Sequence, residues 1–185
     1  MAHILLVYAT TDGHTGKVAE FVADTFRKTG HIATLADAAA MMTGVDVASF
    51  DACILLGSVH QGHHQKSLVH FVQRHLASID ARPNAFLSVS LSAAAADEES
   101  RADTKAAVDS FVTETGWLPM VVQPVAGALL YTHYDWFKRV VMRVIAKSHG
   151  GDTDTHRDHV YTDWSRLRQF VVDFERAHLP AMAHV

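Results

Sequence analysis

Six residues directly after the first apolar run have the clearest chemical potential in the chain: Thr10, Thr11, Asp12, Gly13, His14 and Thr15. Three hydroxyls, successive backbone N–H groups and a glycine without a Cβ make a donor-rich turn that a ligand can approach closely, a surface suited to an anion. Ile4, Leu5, Leu6, Val7 and Tyr8 precede it as an unbroken apolar run, expected of a strand covered on both faces of a parallel sheet. Beyond it, Val18, Phe21, Val22, Thr25 and Phe26 recur at helical spacing, so the unpaired N–H groups of that helix's first turn point back at the hydroxyls. Strand, turn and helix N-terminus in this order make a phosphate site. An ordinary capped turn with no ligand suits the same six residues.

The loop excludes two nucleotide sites. A G-x-x-x-x-G-K-[ST] triphosphate loop ending at Gly16-Lys17 needs a glycine at Thr11 and a Mg²⁺-binding hydroxyl at Val18. The dinucleotide pattern G-x-G-x-x-G needs three glycines, and the loop holds Gly13 and Gly16 alone. The pattern that is present, T-x-x-G-x-T from Thr10 to Thr15, resembles the phosphate loop of flavodoxins, which hold the monophosphate of FMN with backbone amides and Ser/Thr hydroxyls. The resemblance implies FMN as cofactor.

At 185 residues with 49% hydrophobic side chains and a mean hydropathy near zero, the chain suffices for one well-buried domain spanning 1–185. No apolar run approaches bilayer length, and the first one is needed as a strand rather than as a leader, so a cytoplasmic protein is expected. The single cysteine, Cys53, sits in an apolar run as a buried, inert thiol and excludes a dithiol cycle. A net charge of −4 gives no general attraction to nucleic acid.

Strand and helix alternate five times. A second strand is expected at His31 to Leu35, then a short helix or irregular crossover from Ala36 to Gly44. The third strand is expected at Ala52 to Gly57 and the fourth at Ala85 to Leu91, with a helix along Leu68, Phe71, Val72, Leu76 and Ile79 between them. A further helix runs from about Ser100 to Thr115, and the fifth strand region covers Val121 to Leu130, where Pro124 demands an edge position or a break. This is the pattern of a flavodoxin-like, doubly wound, five-stranded parallel sheet in the order 2-1-3-4-5. In that order the loops after strands one, three and four converge on the ligand. They add Ser58, Val59, His60, Gln61, Gly62 and His63, then Ser90, Leu91, Ser92 and Ala93, to the six turn residues as cofactor-binding candidates. His60, His63 and His64 lack the fixed spacing of a metal site, and no metal is expected.

Between the fifth strand and the last helix lies an insertion at about 131–159. Trp136, Phe137, Val140, Val141, Val144 and Ile145 form a broad apolar arc with Lys138, Arg139, Arg143 and Lys147 beside it. The segment from Tyr134 to Lys147 suits an anionic membrane surface, and it equally suits packing on the sheet with a solvated cationic rim. Thr162 and Asp163 open a final helix that buries Trp164, Leu167, Phe170, Val171 and Phe174.

The loop at Thr10 to Thr15, the run Gly127-Ala128-Leu129-Leu130-Tyr131, the aromatic and basic insertion, Gly150-Gly151-Asp152-Thr153-Asp154-Thr155 and Val160-Tyr161-Thr162-Asp163-Trp164 resemble the flavodoxin-type, menaquinone-dependent protoporphyrinogen IX oxidases along nearly the whole chain. The resemblance implies an FMN-dependent oxidoreductase that converts protoporphyrinogen IX to protoporphyrin IX in haem biosynthesis. It also implies that electrons pass to a membrane quinone, menaquinone or ubiquinone, from a position at the inner face of the cell membrane. The flavin carries the redox step, so no catalytic dyad is required. The chain departs from the family at His60-Gln61-Gly62-His63-His64, where relatives often carry an aromatic residue, and at the alanine-rich, acidic stretch from Ser92 to Asp103. Stacking on the flavin ring then falls to His60, to Tyr131 or to no residue. An electron carrier between proteins and an FMN-dependent quinone reductase are the alternative functions.

Overall fold

The computed structural model describes residues 1–40, 44–129 and 159–179. Strand β1 (His3–Ala9) alternates its apolar side chains between two cores, which is why its sequence shows no polar face. Ile4 and Leu6 pack with α1 (His14–Lys28) and the C-terminal helix α4 (Trp164–His178). Leu5 and Val7 pack on the other face with α2 (Lys66–Asp80) and α3 (Glu98–Thr115). The remaining long strands are β2 (Ile32–Asp37), β3 (Ala52–His60), β5 (Asn84–Ser90) and β6 (Val121–Ala126). They pair in parallel in the order β2-β1-β3-β5-β6, the expected 2-1-3-4-5 arrangement. Pro124 lies on β6, the edge strand, where its missing N–H leaves no inner ladder bond unmade.

Three expectations differ from the structure. The second strand runs two residues beyond Leu35, and the described part of the crossover that follows is a turn at 38–40, the irregular one of the two expected forms. The segment after Gly57 is a β-hairpin rather than a loop: β3 continues to His60 and reverses into β4 (His63–His64), pairing Val59 with His64 and His60 with His63. Gln61 (φ 50°) and Gly62 (φ 81°) form the two-residue reversal, whose paired positive φ angles match the twist of the flanking strands. The fifth strand stops at Ala126. Gly127 leaves the sheet, and β7 (Ala128–Leu129) pairs antiparallel with β8 (His159–Val160) in a separate ribbon. That ribbon is the root of the expected insertion, most of which, including Tyr131 and the segment from Tyr134 to Lys147, lies outside the described residues.

Candidate functional site

At the carboxyl end of β1, Gly13 takes a left-handed conformation (φ 81°) and its N–H donates to Thr10 Oγ1 at 2.9 Å. This closes the turn and starts α1 at His14, with no side chain capping the helix. Thr15, the second helical residue, is 1% exposed, and its Oγ1 is buried without a hydrogen-bond partner. An unpaired buried hydroxyl costs roughly 1–3 kcal/mol. Placed at an uncapped helix N-terminus, it is a donor held ready for an anion.

The turn opens on a cleft of about 360 Å³. Thr10, Thr11, Asp12, His14 and Thr15 line it from the turn, Ser58, Val59, His60, Gln61 and Gly62 from the hairpin, and Ser90, Leu91 and Ser92 from the end of β5. Three anticipated residues do not line it. Gly13 acts through its backbone, His63 is exposed on β4, and Ala93 turns its N–H back to Ser90 Oγ at 3.2 Å.

The sequence reading missed two further walls. Val89 and the α3 residues Asp103, Ala106 and Ala107 line the cleft, as do Gly127 and Ala128. The helix itself was expected, but its contribution to the cleft was not, because alanines advertise no chemistry. Ser92 ties the end of β5 to α3, its Oγ lying 2.9 Å from Thr104 Oγ1 and 3.1 Å from Ser90 Oγ. Gln65 is another missed residue. Its Nε2 donates to Thr11 Oγ1 at 3.0 Å and to Ser58 Oγ, bridging the phosphate turn and the hairpin.

Two histidines near the cleft have opposite settings. His14 lines it and places Nε2 2.8 Å from Thr162 Oγ1. Burial, then the neighbouring Lys17 charge, lowers its pKa below the usual imidazole value. His64 lies beneath the hairpin with ring centroids 5.0 Å from both Phe86 and Phe111, and its Nε2 is 3.1 Å from Ser88 Oγ. Burial, then the His63 charge, pushes its pKa down to about 4, so it is neutral and its Nδ1 has no partner. Gly57 makes room for it, since a Cβ there would stand 2.9 Å from His64 Cδ2. Among the described residues no cluster of His, Cys, Asp or Glu could hold a metal ion. Cys53 is fully buried and its thiol is pushed up to about 12 by burial, which makes it inert.

The family model for the flavodoxin domain matches residues 5–156. The chain is also 33% identical over 174 residues to a protoporphyrinogen IX dehydrogenase [quinone] of Leishmania major, covering 92% of this chain and 73% of the relative. This chain belongs to the flavodoxin-domain family, alongside the quinone-linked protoporphyrinogen IX dehydrogenases. A second such dehydrogenase, from Escherichia coli K12, is 30% identical over 175 residues that cover 95% of this chain and 94% of that one. Solved structures agree on the fold. The oxidised flavodoxin 1 of Bacillus cereus superposes with a TM-score of 0.54 at 15% identity, covering 95% of this chain and 98% of the other. A Fusobacterium nucleatum flavodoxin bound to flavin mononucleotide gives 0.54 at 11% identity, covering 96% and 99%.

Proposed function

We propose that this chain is an FMN-dependent oxidoreductase that converts protoporphyrinogen IX to protoporphyrin IX and passes the electrons to a quinone. The near full-length relation to dehydrogenases of that name carries the reading. The cofactor is FMN. The site suits it: the uncapped start of α1, the unpartnered Thr15 hydroxyl and the bend at Gly13 offer donors for one phosphate group. Bound FMN supplies the two-electron acceptor, so the six hydrogens lost by a porphyrinogen leave in three rounds.

The chain's own residues hold and exclude. Thr10, Thr11, Thr15 and the backbone around Gly13 seat the phosphate. The hairpin at Ser58–Gly62 and the β5 end at Ser90–Ser92 border the ring. Gln65 keeps the first two segments in register. The small side chains of Ala106, Ala107 and Ala128 and the bare Gly127 leave a largely apolar passage, which suits an apolar ring system better than a compact polar reductant.

The acceptor is a membrane quinone of the menaquinone type, and the chain works as one domain at the cytoplasmic face of the membrane. Among the described residues no helix is long and apolar enough to cross a bilayer. Peripheral contact through the sequence from Tyr134 to Lys147 would bring the cleft to the quinone, and the cations Lys138, Arg139, Arg143 and Lys147 beside Trp136 and Phe137 support it. Neutralising those four cations is expected to weaken binding to anionic vesicles, most at low salt. Equal binding would place that segment against the domain instead.

The deciding experiment is anaerobic turnover of the purified chain with protoporphyrinogen IX and a menaquinone analogue. Porphyrin fluorescence should rise with FMN-loaded protein. A yellow protein that produces none would return the chain to the role of an electron carrier.

A further inference from the structure

The Thr162 hydroxyl makes two contacts that together decide the state of a third group. Its Oγ1 lies 2.7 Å from the Ala126 carbonyl oxygen and 2.8 Å from His14 Nε2. A carbonyl can only accept, so the one hydroxyl hydrogen goes to Ala126, and Thr162 Oγ1 must accept from His14. His14 is therefore protonated at Nε2. Its lowered pKa keeps it neutral near pH 7, which leaves Nδ1 with its lone pair.

This chain of bonds joins three elements that the sheet ladder does not connect. His14 is the first residue of α1 and a wall of the cleft. Ala126 ends β6, and Thr162 stands two residues past β8. The adjoining wall residues, Gly127 and Ala128, are fixed to β5 by Gly127 N–H on Ser90 O at 2.9 Å and to the C-terminal segment by Tyr161 N–H on Gly127 O at 3.1 Å. Of these bonds, His14–Thr162 is the one that runs directly to the phosphate turn, whereas the Gly127–Ser90 bond reaches it through the sheet.

We propose that His14 is a positioning residue. Held as the Nε2–H tautomer by Thr162, it sets the distance between the phosphate turn and the Gly127–Ala128 wall, and so the width of the passage by which the reductant reaches the flavin ring. The inference rests on the cleft being the flavin site of a porphyrinogen dehydrogenase. It assigns His14 no proton transfer and no contact with the reductant.

Three measurements on the full chain test it. Nitrogen-15 NMR of the imidazoles at neutral pH should show His14 as the Nε2–H tautomer in the wild type, and a predominant Nδ1–H form would overturn the proposal even if no variant folds. Thr162→Val removes the hydroxyl at nearly constant volume. It should mix the His14 tautomers and raise KM for protoporphyrinogen about tenfold, with kcat changed less than about threefold and FMN affinity, read by flavin fluorescence quenching, within about threefold. Thr162→Ser restores the hydroxyl and should restore KM. A valine variant with the KM of the wild type, or a serine variant that keeps the raised KM of the valine variant, would overturn the inference while wild-type turnover stands. A wild type that binds FMN but produces no porphyrin would fail the underlying reading instead, and the tautomer result would still decide the clasp.

Discussion

The phosphate turn holds its shape through its own backbone and Thr10, and it keeps the Thr15 hydroxyl buried and unpaired at the start of α1. The hairpin at the other side of the cleft holds its place through a side chain that does not line it: His64, buried between Phe86 and Phe111 and bonded to Ser88. One segment takes its bend from residues adjacent in sequence, is tied outward through Gln65 and Thr162, and keeps the Thr15 hydroxyl for an anion. The other depends on contacts roughly twenty to fifty residues away and uses its polar capacity inside the core. The turn should therefore answer to ligand and the hairpin to acid.

The largest expected effect is on the hairpin. His64 ionises near pH 6.5 in an unfolded chain and about 4 in the folded one. Its folded pKa is depressed, so the stability of the neutral buried form is complete above pH 6.5 and is lost as pH falls toward 4. The loss amounts to about 3 kcal/mol. Urea unfolding across that window should show it, and His64→Gln, which keeps a polar end near Ser88 but does not titrate, should flatten the curve apart from smaller slopes from His14 and His75. A variant as acid-sensitive as the wild type would remove His64 as the hairpin's weak point.

On the turn, Thr15→Val should do the reverse. It deletes a buried hydroxyl that has no partner in the free protein, so stability without FMN should stay level or rise slightly. FMN loses a hydrogen bond to a charged group, worth about 2 kcal/mol, and its dissociation constant should rise about 30-fold. Fluorescence titration with FMN and thermal unfolding of the apoprotein separate the two effects. A variant that binds FMN normally but unfolds earlier would make Thr15 a plain capping residue.

The same contrast explains what the sequence disclosed. The strand order and the turn were legible because their causes lie close together along the chain: β1's unbroken apolar run, the helical stripe of α1, and Gly13 between them. The hairpin was not, because Val59 and His60 pair antiparallel only with two residues that reverse through Gln61, a side chain seldom found at positive φ. Gln65 belongs to no motif, and its bridge to Thr11 and Ser58 exists only once three elements have met. The α3 wall was silent for another reason. Ala106 and Ala107 matter for the space they leave, and pattern reading detects what side chains bring rather than what they omit.

The smallest effect offers the finest comparison, because each segment contains a glycine at φ 81° where an added Cβ would meet no heavy atom within 4 Å. Gly13→Ala and Gly62→Ala should thus cost similar stability, about 1 kcal/mol for holding alanine in the left-handed region. Their effects on FMN should part. At Gly13 the Cβ stands at the bend that brings backbone donors to the phosphate, so the dissociation constant should rise about fivefold. At Gly62 the glycine serves the reversal of the hairpin, so a change below about twofold is expected. Equal losses of FMN affinity would mean that both segments touch the cofactor through their backbones, and the division between a ligand-holding turn and a core-held hairpin would have to move inward to His64 alone.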